Sequence, residues 1–175
     1  VSSNYMTELP ALFQTIKNTV LTIDTELNKT NETGIFFAPE LYTAFCIGRD
    51  IYNNRLSIFG TQDIEWLREI NLSNGGPSDI CFKTGDTHII IELKLRDRGF
   101  AYQADIEKLK RLPATDEKFF CVLVDTIENK YDGRLDNLKS QYENEIIHAG
   151  HYSFPTWNNW YSSKIHCHLN LYKVL

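Results

Sequence analysis

Charged residues that could do chemistry lie close together in PSDICFKTGDTHIIIELKL, residues 77–95. A tight Gly-Asp turn inside this segment predicts a hairpin that sets Asp79 opposite Glu92, with Lys94 two residues further on. Directly opposed residues have Cβ atoms about 5 Å apart, so two carboxylates there repel and need a cation or a shared proton. Lys94 would supply part of that charge and a divalent metal more, because carboxylates, water and phosphate are typical ligands of Mg²⁺.

This register also divides the hairpin into two faces, because side chains alternate along each strand. One face is apolar and predicts a core side, comprising Ile80, Phe82, Ile89, Ile91, Leu93 and Leu95. The other carries Asp79, Cys81, Ile90, Glu92 and Lys94. A slip by one residue would turn the acids into the core. The alternative to a site is a solvent-facing hairpin whose charges only pair with one another.

The surrounding chain predicts helices that alternate with strands. An apolar stripe at spacings of four and three residues predicts a helix over 7–29. The stripe would pack on the body of the same domain or on a second copy of the chain. It consists of Leu9, Phe13, Ile16, Val20, Ile23 and Leu27. Pro39 suits the first position of a helix over 38–54, with Glu40 in its first turn, where the dipole favours an anion. Further helices are expected over 103–112 and 133–148. Strands are expected at the end of 61–72 and over 117–127 and 164–174.

These elements indicate one α/β or α+β domain, residues 1–175, built on a mixed sheet. The hydrophobic content of 42% and charged content of 23% are those of a globular protein. The net charge of −5 argues against a surface that wraps nucleic acid throughout, yet residues 94–112 carry six Lys or Arg against three acids. No apolar run is long enough to cross a membrane and no secretion signal is evident, so we expect a cytoplasmic protein. Four cysteines without a CxxC pair are expected to be buried free thiols.

Two other groups of residues have a functional and a structural interpretation. His166 and His168 could be metal ligands, although the polar face of an edge strand is favoured because no third ligand is apparent. The aromatic, acid-free segment 151–163 could stack on unpaired bases. Alternatively its Phe154, Trp157 and Trp160 pack under a long loop.

The sequence PSD, followed by twelve residues and ELK, resembles the PD-(D/E)xK motif of the restriction-endonuclease-like phosphodiesterase superfamily. The resemblance covers about 38–125 and implies an αβββαβ core, a central mixed sheet flanked by helices. Helix 7–29 and residues 126–175 would be additions to that core. Ser78, between Pro77 and Asp79, departs from the motif as it is named.

The resemblance implies roles for several residues. Asp79 and Glu92 would bind Mg²⁺, for which Mn²⁺ should substitute, together with the backbone carbonyl of Leu93. Lys94 would orient the attacking water and help to deprotonate it, and Glu40 would serve a second metal position or the water. Helix residues facing the site would be Gln103 and Lys108.

Arg96 and Arg98 continue the strand beyond Lys94 and could bind phosphates of a nucleic acid. The alternative is a solvated strand end in which they pair with Asp97.

The function expected from these features is metal-dependent hydrolysis of phosphodiester bonds. DNA is the expected substrate rather than RNA. The simplest activity is that of a DNA endonuclease in restriction, defence or repair. A homodimer would be an economical way to cut both strands of a duplex. Two alternatives stay open: a catalytically silent nuclease fold that binds or regulates, and a two-carboxylate glycoside hydrolase, which the adjacent lysine disfavours.

Overall fold

A computed structural model describes residues 6–127, 133–157 and 164–175. The helices are α1 (Leu9–Asn31), α2 (Glu40–Asn53), α3 (Arg55–Phe59), α4 (Gly99–Lys110) and α5 (Arg134–Gln141), with a 3-10 turn at Ile35–Phe37. The strands are β1 (Glu65–Trp66), β2 (Ile80–Thr84), β3 (Thr87–Leu95), β4 (Glu117–Ile127), β5 (Ile146–Thr156) and β6 (Ile165–Val174).

The six strands form one open mixed sheet in the order β1-β2-β3-β4-β6-β5. Among the strand pairs of the described residues, β3–β4 alone is parallel, and α4 connects these two strands. The hairpin register is the expected one: Ile80 pairs with Ile91, Phe82 with Ile89 and Thr84 with Thr87. The protein is therefore a mixed α/β structure in which a six-stranded sheet is flanked by helices.

Helices cover both faces of the sheet, so the hairpin is buried on its two sides. The apolar face predicted as the core side packs with buried residues of α1, α2 and α3. The stripe of α1 therefore packs on the body of its own domain. On the opposite face, Cys81 and Ile90 are buried against Tyr102, Ile106 and Leu109 of α4. The sheet separates two apolar cores.

Several predicted elements differ from the observed ones. In segment 61–72 the strand is the short β1 in the middle, and the expected strand at the end is wrong, apart from an isolated bridge between Asn71 and Pro77. The helix expected over 133–148 ends at Gln141, and the chain then turns into β5. Pro39 lies one position earlier than expected, as the N-cap of α2.

The position of β6 corrects the expectation of an edge strand. β6 lies between β4 and β5 and pairs with both, so its polar residues His168 and Asn170 are buried. The outer strand is β5, whose polar and aromatic residues do not show the alternation of a half-buried strand.

No helix in the described parts of the chain is long and apolar enough to cross a membrane. All four cysteines are buried free thiols, as expected.

Candidate active site

Asp79 and Glu92 meet where β2 begins and β3 nears its end. Asp79 directly precedes β2, and its Oδ2 accepts a hydrogen bond from the backbone N–H of Leu93 at 2.8 Å. Glu92 is only 2% exposed, and its Oε1 lies 2.9 Å from Nζ of Lys108 on α4. The alternative of a solvent-facing hairpin is therefore wrong for Glu92, because α4 covers this face of the sheet.

Lys94 lies between two further carboxylates. Its Nζ is 3.5 Å from Oδ2 of Asp105 on α4 and 3.7 Å from Oε1 of Glu40. The other oxygen of Glu40 accepts a hydrogen bond from the backbone N–H of Leu95 at 2.9 Å. Because Glu40 begins α2 and Asp105 belongs to α4, helices from both faces of the sheet supply acids to one strand.

A loop ahead of β2 is fastened to α4 and sets the position of Lys108. Asn74 donates a hydrogen bond from Nδ2 to the carbonyl of Lys108 at 2.9 Å, and Arg111 donates from Nη1 to the carbonyl of Asn74 at 3.1 Å. Lys108 Nζ in turn donates to the carbonyl of Pro77 at 2.6 Å. Ser78, the departure from the motif, is buried in this loop and donates its N–H to the carbonyl of Ile70.

We call this group the acidic cluster: Glu40, Asp79, Glu92 and Asp105, with Lys94 and Lys108. It holds two more carboxylates than ammonium groups. Burial raises the pKa of Glu92 to about 7; the Asp79 carboxylate adds to this rise and Lys108 opposes it. Burial also raises the pKa of Asp105, against the effect of Lys94.

Lys94 is a cation in this setting. Burial lowers its pKa, but the carboxylates of Asp105, Glu40 and Asp79 outweigh that effect, and the net pKa lies above its ordinary value. Lys94 therefore stays protonated at neutral pH. In this arrangement it can stabilise negative charge, whereas removing a proton from water would need a change in its surroundings.

The donor set of the acidic cluster suits a hard divalent cation. Carboxylate and carbonyl oxygens are the ligands that Mg²⁺ takes, and the buried Glu92 Oε1 and Asp105 Oδ2 make no regular hydrogen bond despite their nearby ammonium groups. As the described side chains lie, no three His, Cys, Asp or Glu residues are grouped closely enough to hold a metal ion. The ammonium groups of Lys94 and Lys108 lie next to these carboxylates.

Of the helix residues predicted to face the site, Lys108 joins the acidic cluster, whereas Gln103 does not. At 100° per residue, Gln103 lies about 160° from Asp105 around α4, so the two side chains leave opposite sides of the helix. Asp105 was missed by the sequence interpretation. The sequence pattern that could have identified Asp105 is its spacing of three residues from Lys108, which places both side chains on one side of a helix.

The two arginines beyond Lys94 are placed differently from each other. Arg96 does not pair with Asp97 as the alternative expected; its Nε is 3.3 Å from Oδ2 of Asp125, and its guanidinium lies over the ring of Phe36. Arg98 is exposed at the N-cap of α4 and is open to a ligand.

The remaining groups of the sequence lie elsewhere. His168 Nε2 is 3.0 Å from the Thr126 hydroxyl, on the inner strand β6. Residues 151–156 of the aromatic segment belong to β5, where Phe154 is buried; Trp157 is half exposed. Residues 158–163, including Trp160, lie outside the described residues, so both interpretations of that part stay predictions.

Comparison of the chain with protein-family models, with curated proteins and with solved structures gives no match.

Proposed function

We propose that the protein is a metal-dependent nuclease that hydrolyses phosphodiester bonds, with DNA as the expected substrate. The observation that carries this proposal is the meeting of Asp79, Glu92 and Lys94 at one end of a hairpin, where Glu92 is buried and carboxylates exceed cations. Such a group is suited to a divalent metal and a phosphate, because the metal balances the carboxylates and Lys94 adds positive charge for phosphoryl oxygens.

The order of elements supports the proposal. From α2 onward the chain runs helix, the short helix α3, three strands, helix, strand. Apart from α3, this is the αβββαβ order implied by the resemblance to the PD-(D/E)xK superfamily. Glu40 begins the first of these helices, and Asp105 and Lys108 belong to the second. An endonuclease of restriction, defence or repair is the simplest activity of this kind, and a homodimer would cut both strands of a duplex.

Asp79, Glu92 and the carbonyl of Leu93 would hold Mg²⁺, or Mn²⁺ in its place, and Glu40 would serve a second position. When bound, the metal would lower the pKa of a water and neutralise charge that develops on the phosphate. Lys94, held by Glu40 and Asp105, would donate hydrogen bonds to a phosphoryl oxygen as the P–O bond breaks.

The test is incubation of the purified protein with plasmid, single-stranded DNA and RNA in Mg²⁺, Mn²⁺ or EDTA. Lys94→Ala should abolish cleavage. Lys83→Ala is the matched control, because Lys83 belongs to the same hairpin and lies at its turn end, in register with His88. Cleavage that survives in Lys94→Ala or in EDTA would contradict the proposal and indicate a contaminating nuclease.

A second candidate, a catalytically silent nuclease fold, is favoured by one observation. Lys108 Nζ already lies 2.9 Å from one of the two carboxylate oxygens of Glu92, where it takes the place of a cation. The two functions differ in metal binding, which isothermal titration with Mn²⁺ measures without any substrate. Binding that is lost in Asp79→Asn supports the nuclease, whereas absence of Mn²⁺ binding together with absence of cleavage supports the silent fold.

A further inference from the structure

Helix α2 exposes a run of apolar side chains next to the acidic cluster. Leu41 is 64% exposed, Tyr42 48% and Phe45 40%. At 100° per residue these three side chains occupy one arc about 100° wide, on the opposite side of α2 from the buried Ile47 and Ile51. We call Leu41, Tyr42 and Phe45 the α2 surface. Exposed apolar side chains that share one side of a helix are a candidate binding surface.

The α2 surface is continuous with the acidic cluster. Leu41 and Phe45 line a narrow crevice of about 10 Å³ together with Trp66, Arg68, Glu69 and Asp79. The crevice itself has no room for a nucleotide, but it joins the exposed side of α2 to Asp79 of the acidic cluster. Glu40, which holds Lys94, directly precedes Leu41 in the chain. A polymer whose phosphate lies at the cluster would therefore have its neighbouring groups beside α2.

The side chains on and beside the α2 surface favour a nucleotide over a purely apolar ligand. The ring of Phe45 is 5.5 Å from that of Trp66, and the guanidinium of Arg68 lies 5.4 Å from the centre of the Phe45 ring. Aromatic rings stack on bases, and an arginine can both stack and bind phosphate. The Arg68 side chain is 58% exposed, and its Nη2 is 3.8 Å from the Glu69 carboxylate, a distance that leaves it able to change partner.

We infer that the α2 surface binds unpaired bases, and that the substrate is a single-stranded or unpaired stretch of nucleic acid. The inference rests on the proposed function, since it assigns a substrate class to the same site. A duplex keeps its bases stacked inside, so their faces cannot reach Tyr42 or Phe45. An unpaired strand would lay its bases on α2 while its backbone passes Arg68 and enters the acidic cluster.

The test is fluorescence anisotropy in EDTA, where binding is measured without cleavage. A labelled single-stranded oligonucleotide is compared with a hairpin duplex at one fixed salt concentration, since affinity depends on salt. Tyr42→Ser should weaken single-strand binding by roughly 5- to 150-fold, the range for loss of one stacked base. Its control is Tyr42→Phe, which keeps the aromatic ring at the same position and should bind single strands like the wild type.

A second pair of variants guards against an effect on folding. Leu41→Ser is compared with Leu56→Ser, a leucine of 54% exposure on α3, beyond the far end of α2. The inference predicts weaker single-strand binding for Leu41→Ser alone, with unchanged circular dichroism for both. It is overturned if single strand and duplex bind equally, if Tyr42→Ser binds like the wild type, or if the α2 variants change only self-association in sedimentation.

The cleavage assay separates this inference from the proposed function. If cleavage depends on Lys94 but Tyr42→Ser does not change binding, the proposed nuclease activity stands and the α2 surface is not the binding site. Tyr42-dependent binding of single strands without cleavage would instead support the inference and a silent nuclease fold.

Discussion

Replacing Glu92 by Gln removes a buried negative charge while keeping the shape of the side chain, and we expect it to stabilise the fold at alkaline pH. The pKa of Glu92 is raised from 4.5 to about 7, first by burial and then by Asp79. Because the folded state binds this proton more tightly than the unfolded state, the stability of the wild type falls as pH rises from 4.5 through about 7. A difference of about 2.5 pH units corresponds to roughly 3 kcal/mol at about 1.36 kcal/mol per unit.

Glu92→Gln avoids this penalty but leaves Lys108 without its anion, so the net gain should be smaller. We expect the free energy of unfolding to increase by about 1–3 kcal/mol at about pH 8.5 and to change little at about pH 5. Urea unfolding in EDTA, followed by tryptophan fluorescence, measures the free energy of unfolding of variant and wild type at both pH values. Equal differences between variant and wild type at the two pH values would refute the reasoning, because a packing effect does not titrate.

Three further predictions concern the same contacts and the core. Lys108→Met leaves Glu92 without its ammonium group, so urea unfolding at about pH 8.5 should show a loss of about 3–5 kcal/mol that shrinks at about pH 5; a loss independent of pH would contradict this. Gly150→Ala would place a Cβ 2.4 Å from the Phe13 ring and should cost about 1–3 kcal/mol. In a double-mutant cycle, Phe13→Ala should remove most of that cost, and additive effects would count against the clash. The folded protein should not react with a thiol reagent until urea is added, because all four cysteines are buried. Burial also raises the pKa of Cys81 and of Cys121 to about 12. Rapid reaction of the native protein would contradict this prediction and show that the two apolar cores open.

The hairpin could be predicted from the sequence because its information is local. Alternation with a period of two, interrupted by a Gly-Asp turn, is enough to define both the register and the face of every side chain from Ile80 to Leu95. The same applies to β4, whose apolar and β-branched run predicted its observed bounds, Glu117–Ile127. The acids Asp79 and Glu92 were brought together by this local pairing.

The residues that pair with these acids depend on tertiary structure. Asp105 reaches Lys94 and Lys108 reaches Glu92 because α4 packs across β3. Asn74 and Arg111 join the loop ahead of β2 to the end of that helix. Such contacts join residues distant in sequence, and no local periodicity specifies them. The helix pattern showed that Asp105 and Lys108 share a side, but not what that side would face.

Strand β5 shows the converse case, in which tertiary pairing overrides a weak local pattern. A bulge between His148 and Gly150 breaks the alternation, and the strand lies at the edge of the sheet with many exposed side chains. Its pairing made β6 an inner strand and buried His168, which local alternation had assigned to an exposed face. The sequence by itself therefore determined the hairpin and its opposed acids, because strand pairing across a tight turn is a local property. Which lysines neutralise those acids, and which strand closes the sheet, depended on long-range packing.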